Sequence, residues 1–326
     1  MNRRNALIAR LNPREAIKGV NQKYETKERL AAAGVPVPPT LALITDEGEA
    51  ADFDFTSLPD AFAVKPNRGR RGEGVILVDG RNEDGSWRQL NGEALTVKML
   101  RAHLTRILAG ELSLEGSHSD AALFEPLIRA HPDFARLVPY GLPDIRIICL
   151  GEVPLMAMTR LPTEQSRGRA NLHQGAVGAA IEFASGTIFR AVMGDEVVWD
   201  HPTTGQPLIG EHIPHWRQAV KAARRCSGAL GLGYVGVDIV IDAERGAQVL
   251  ECNAYPGLAI QNVNAAGLAG RIAQVEQQKR DRERALRLAA HRHRYTGFRP
   301  LHRLGGAIRT ASGRVVEAWA LPSSAA

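Results

Sequence analysis

The sequence predicts an α+β fold of compact lobes, and three observations lead there. Strand-like and helix-like stretches are mixed along the chain without the strict βαβ alternation of a doubly wound sheet. No internal repeat is present. The 326 residues are 44% hydrophobic and 23% charged, enough for one large domain or for two to three lobes that each bury a core.

Residues 1–20 read as a short, polar, partly helical segment. A helix is predicted over 23–33, with Tyr24, Leu30 and Ala31 on one face and Gly34 as its stop. Val35-Pro36-Val37-Pro38-Pro39 then forces extended backbone. Short strands over 61–65 and 75–78 bracket a glycine-rich turn. Met99, Leu100, Leu104, Ile107 and Leu108 are spaced for an amphipathic helix over 97–109. A buried strand is expected over 122–128. Residues 144–150 and 153–159 form a hairpin around Gly151-Glu152. Two more short strands fall within 176–186 and 187–193, and 216–230 reads as a helix ending near Gly231. The β-rich runs 235–241 and 248–253 flank a turn, and a long charged helix is expected over 269–295. The lobes divide as 1–20, 21–120, 121–270 and 271–326, the last a charged helix with a loosely packed tail.

Composition excludes several function classes. The formal charge of +6 suits an anionic ligand, although part of the excess lies in Lys279–Arg284 and His291–Arg294, which read as an exposed helix. Aromatic residues are only 5%, and no reading motif is present, so nucleic acid is not an expected partner. Cys149, Cys226 and Cys252 form no CxxC pair, which argues against a disulfide scaffold or zinc site and for a reducing compartment. No secretory signal and no run near the ~20 apolar residues of a membrane span are seen, so a cytoplasmic protein is expected.

Four segments carry chemistry. Lys65 stands at a strand end before Gly69, Gly72 and Gly74, whose loop can aim backbone N–H groups at phosphate. It is neither a Walker A loop nor a Rossmann fingerprint, and by itself such a loop is more often just a turn. Asp238 lies on one predicted strand, and Glu251 and Asn253, two apart on the next, face the same side. Two carboxylates and an amide oxygen suit Mg²⁺, and a solvated polar face is a poor alternative among Val237, Ile239, Val249 and Leu250. Asp144 and Arg146 also share a strand face, as a structural ion pair or as part of a site. The loop Arg167–Gly175, with Arg169, Asn171 and His173, is a solvated basic loop or an anion clamp, and His173 alone is more often a structural hydrogen-bonder.

In this order the segments resemble the ATP-grasp carboxylate–amine ligases, in the alpha-L-glutamate-ligase-like branch that overlaps the sugar-transfer-associated ATP-grasp proteins. Five stretches carry the resemblance: Asn21-Gln22-Lys23 through Pro38, Lys65 with its glycines, Phe124–Ile128, Asp144 through His173, and Gly236-Val237-Asp238 through Glu251-Cys252-Asn253 to Leu258.

The resemblance implies an ATP-grasp fold, two α+β lobes clasping a nucleotide, here with a C-terminal helical extension. It implies ATP and Mg²⁺ (or Mn²⁺), with Lys23 and Lys65 on the phosphates and Gly69, Gly72 and Gly74 in the loop over them. Glu125, Pro126, Leu127 and Ile128 would form the hinge that meets adenine. Asp238, Glu251 and Asn253 would hold the metal. Arg146, Arg169 and Asn171 would face the acyl donor, with Arg160 a weaker candidate, and Cys252 would point into the core. The implied reaction joins a carboxylate to an amine through an acyl phosphate, on small-molecule or peptide substrates. A non-catalytic ATP-binding regulatory module is the alternative. Relatives carry a sizeable domain before the first lysine, whereas about twenty residues precede Lys23 here. Part of the acceptor surface is therefore expected to be missing or to come from a protein partner, and a homo-oligomer stays open.

Overall fold

The computed structural model describes residues 2–69, 72–113, 119–138, 140–296, 307–309 and 315–317. Residues 1–272 form one compact unit and residues 273–326 a second. The first unit begins with helices α1 (Asn2–Leu11), α2 (Arg14–Val20) and α3 (Lys23–Ala32). Asn12 ties this segment to the body: its amide donates to the Tyr234 carbonyl at 2.8 Å and accepts from the Tyr234 N–H at 2.9 Å.

The first sheet comprises β1 (Ala42–Ile44), β2 (Phe62–Pro66), β3 (Ile76–Arg81), β4 (Trp87–Gln89), β5 (Ala94–Leu95) and β6 (Ala122–Pro126), in spatial order β1-β6-β2-β3-β4-β5. Although β6 follows residue 120, it lies between β1 and β2. Helix α4 (Glu47–Asp52) and helix α5 (Val97–Leu108) accompany this sheet. Leu100, Leu104 and Ile107 of α5 join Phe62, Val64 and Phe124 in one core. Met99, expected on the apolar face, is instead 49% exposed. The sheet meets a narrower arc of the helix than the apolar stripe spans, and Met99 falls outside it.

The second sheet follows helix α6 (Pro132–Leu137). Its strands are β7 (Asp144–Leu150), β8 (Val153–Leu161), β9 (Val177–Ile181), β10 (Ile188–Met193), β11 (Glu196–Val198), β12 (Tyr234–Asp242) and β13 (Gly246–Asn253). They are ordered β11-β10-β9-β8-β7-β12-β13 among the described residues. Pairing is antiparallel, as expected for strands joined by hairpins. Helix α7 (Trp216–Leu230) covers one face, and its small Ala219, Ala222 and Ala223 let it pack against Ile145, Ile147, Val237 and Ile239. Because side chains alternate across a strand, that burial turns Asp144, Arg146 and Asp238 to the opposite face. The short α8 (Ala259–Val263) follows β13.

Helix α9 (Leu268–Thr296) runs on from Leu268 into the second unit, which also contains the antiparallel pair β14 (Ala307–Arg309) and β15 (Val315–Glu317). Most of the expected tail, like Arg70 and Arg71 of the glycine loop, lies outside the described residues. No described helix is long and apolar enough to cross a membrane.

Candidate functional site

One wall of the site is built where α3 meets the first sheet. The Gln22 side chain makes no capping bond to α3. Instead Asn67, just past β2, accepts the Tyr24 N–H on its side-chain oxygen at 2.7 Å and the Lys23 N–H on its carbonyl at 3.1 Å. The loop after β2 thus satisfies helix donors that would otherwise be orphaned. Lys23 and Lys27, four apart, project from the same helix face. The Lys23 ammonium donates to the Gly69 carbonyl. Lys27 and Lys65 each reach Glu125 at 2.6 Å, one on each carboxylate oxygen. Sheet register makes this possible: Ala63 stands opposite Glu125, so Lys65 is its diagonal neighbour on the same face.

Burial pulls the Lys23 ammonium below the usual lysine range, against the field of Glu251. Burial lowers Lys27 as well, against Glu125. For Glu125, burial pushes the carboxyl up, but Lys65 and Lys27 outweigh it and the group sits below the usual carboxylate range.

The second sheet supplies the other wall. Glu251 stands directly opposite Asp238 in the β12–β13 register, and Asn253 donates its amide N–H to Asp238 at 3.3 Å. The three therefore share the face away from α7, while Cys252 between them points into the core, as the alternation requires. Asp238 is a buried anion held by two guanidinia: Arg146 at 2.7 and 2.5 Å, and Arg160 at 3.1 Å. Arg160 also grips Asp144 through two bonds, one at 2.6 Å. Asp144 thus pairs with Arg160, which stands opposite it, and not with Arg146 on its own strand. Burial pushes Asp238 up, but Arg146 and then Arg160 outweigh it and hold the carboxyl at about 2.

Glu251 brings the second wall to a cleft shared with the first. Lys23, Lys27, Lys65 and Glu125 line one side, and Leu250 and Glu251 the other. Glu251 is exposed and has no ion pair within 4 Å among the described residues. Its carboxylate and the Asn253 amide oxygen remain available as hard donors beside the guanidinium-held Asp238. No group of three or more His, Cys, Asp or Glu that could hold a metal occurs among the described residues. The donor set accordingly fits Mg²⁺ that draws its other ligands from phosphate and water, and not a cation caged by protein alone.

The described glycines of the loop after β2 stay beside the first sheet. Gly72 has φ +74, and a Cβ there would meet no atom of the described residues within 4 Å, whereas a Cβ on Gly74 would fall 2.9 Å from Pro66 and 3.0 Å from Leu112. His103 on α5 contacts the Gly74 carbonyl at 2.9 Å. Beyond Glu125 the chain crosses from the first sheet to the second: the Leu127 N–H reaches the Ala61 carbonyl at 3.4 Å, and Ala130 bridges to Asp242. Pro126 has no N–H to offer, and Glu125 contributes its side chain to the lysines.

Arg169 is exposed and has no ion pair among the described residues. Asn171 uses its side-chain oxygen to accept the His173 N–H at 3.1 Å, closing a short turn. That turn lies over the polar face, because Leu172 comes within 3.2 Å of where a Cβ on Gly178 would sit, and Gly178 is opposite Arg160. Three contributors escaped the sequence reading: Lys27, the Glu125 carboxylate and His103. Only Lys27 left a signal, its four-residue spacing from Lys23.

A family model described as sugar-transfer associated ATP-grasp matches residues 2–277. The chain is 27% identical over 268 residues to a probable alpha-L-glutamate ligase of Xanthomonas oryzae pv. oryzae (strain MAFF 311018), covering 81% of this chain and 66% of that protein. A protein of the same description from Stenotrophomonas maltophilia (strain K279a) is 26% identical over 275 residues, covering 82% and 70%. The chain thus spans about two thirds of the length of these relatives. Among solved structures, D-alanine–D-alanine ligase from Bacillus anthracis complexed with ATP is similar at a TM-score of 0.45 and 18% identity, over 81% of this chain and 68% of that one.

Proposed function

The chain belongs to the sugar-transfer-associated ATP-grasp family, and from that premise we propose that it is an ATP- and Mg²⁺-dependent ligase joining a carboxylate to an amine. The observation that carries this reading is the convergence of Lys23, Lys65 and Glu251 on one cleft from α3, β2 and β13. Lysines on one wall and oxygen donors on the other suit a triphosphate and its cation.

In this proposal Lys23 and Lys65 neutralise phosphate oxygens, and Gly69, Gly72 and Gly74 offer backbone N–H groups to them. Only the backbone of the connection from Glu125 to Ile128 borders the adenine. Asp238, Glu251 and Asn253 would hold Mg²⁺, which would supply positive charge to the phosphates. A substrate carboxylate attacks the γ-phosphorus, forming a C–O–P bond and breaking the bond to ADP. An amine then attacks the acyl carbon, loses a proton and expels inorganic phosphate. Arg146 and Arg169, with Asn171, orient the carboxylate and balance charge developing on its oxygens, so positioning and charge neutralisation supply the catalysis. The names of the relatives support glutamate or another amino acid as one substrate.

ADP release from ATP with amino-acid mixtures, with and without Mg²⁺, tests this. Mass spectrometry then identifies the acceptor that gains a residue. Binding of ATP without ADP release in any mixture would make the protein a nucleotide-binding regulatory module instead.

A further inference from the structure

We infer that Lys27 is a positioning residue for the nucleotide, acting through Glu125 to keep Lys65 transferable to phosphate. The inference rests on the nucleotide reading above. Lys27, Glu125 and Lys65 come from α3, β6 and β2, and their side chains are only 7%, 5% and 15% exposed. Among the described residues Glu125 is the only carboxylate within 4 Å of either ammonium. Each of its oxygens takes one, so two cations share a single anion and the cluster carries a surplus positive charge beside the cleft.

That stoichiometry decides what happens when phosphate competes for Lys65. A buried carboxylate stripped of its sole cation is strongly destabilised. With Lys27 in place, Glu125 keeps a partner at 2.6 Å after Lys65 moves to phosphate. Without Lys27, Lys65 and Glu125 form a neutral one-to-one pair, and drawing the lysine away strands a desolvated anion. Lys27 itself has no need to touch the nucleotide. The depressed Glu125 carboxyl fits this, since Lys65 and Lys27 together outweigh its burial.

The test is titration calorimetry of the full chain with Mg·ADP, with thermal melting of each variant alongside. Lys27→Met should weaken binding about tenfold or more, because the competing pair must now be broken. Lys27→Arg should stay within about threefold of wild type, since the charge is kept. Lys27→Met/Glu125→Gln should recover the lost affinity whatever its melting temperature, because no carboxylate then holds Lys65. A Lys27→Met variant that melts lower but binds Mg·ADP as wild type does would overturn the inference, as would a double variant that fails to recover. Should Lys27→Met not fold, Glu125→Gln alone decides: affinity equal to or tighter than wild type supports the inference, and a tenfold loss sinks it. Absence of Mg·ADP binding by the wild-type chain would overturn the nucleotide reading and this inference together. Normal wild-type binding with an unaffected Lys27→Met sinks this inference alone.

Discussion

Replacing Asp238 by asparagine separates a folding role from a metal role on the same sheet face. Asp144, Asp238, Arg146 and Arg160 form a buried set in which two anions balance two cations. Asp238→Asn leaves one desolvated guanidinium charge uncompensated, a change that costs about 3–5 kcal/mol when a buried pair is broken. At roughly 2–4 °C per kcal/mol for a body of this size, the melting temperature should fall on the order of 6–20 °C. Glu251→Gln alters the directly opposing residue, yet Glu251 is exposed and unpaired within 4 Å among the described residues. Its stability should therefore stay within about 0.5 kcal/mol of wild type. Both variants should lose Mg²⁺-dependent nucleotide affinity. Calorimetric melting and Mg·ADP titration on the two proteins make the comparison. The reasoning fails if Asp238→Asn melts within about 2 °C of wild type, or if Glu251→Gln destabilises as much.

Lys65→Ala should weaken ATP binding about tenfold or more through loss of a charge-assisted phosphate contact, and an unchanged dissociation constant would remove Lys65 from the site. Glu125 titrates below its ordinary value of 4.5 in the folded chain, so its stabilisation is present above that value and is lost as pH falls through the lower folded one. The stability gap between wild type and Glu125→Gln should accordingly shrink as pH drops below 4.5, and a gap that widens in acid contradicts the assignment. Gly141 has φ +86, and a Cβ there would meet the Gly168 carbonyl at 2.2 Å. Gly141→Ala should add about 1–3 kcal/mol of overpacking, read in melting experiments, to the backbone penalty of about 1–2 kcal/mol that Gly72→Ala meets alone.

The local elements were largely legible. The apolar spacing of Trp216–Leu230 returned α7 with those bounds, and the Gly151-Glu152 turn joins β7 and β8. Alternation also placed Glu251 and Asn253 on one face. The spacing of α5 was read correctly, but the width of its buried arc was not, because a helix does not encode how broadly a sheet will meet it. Met99 went to solvent for that reason. Lys27 went unmarked in the sequence, because its partner Glu125 lies 98 positions away.

By itself the sequence determined where the longer strands and helices run and which neighbours in the chain share a face, since both follow from backbone periodicity, and it left short elements such as β1, α4, β4 and α6 unmarked. Only the tertiary structure decided which charges meet. Asp144 and Arg146 share a strand face, yet Arg146 pairs with Asp238 and Arg160 with Asp144. Ion pairing depends on approach within a few ångströms, and across separate strands that distance is set by register, which no local stretch of sequence contains.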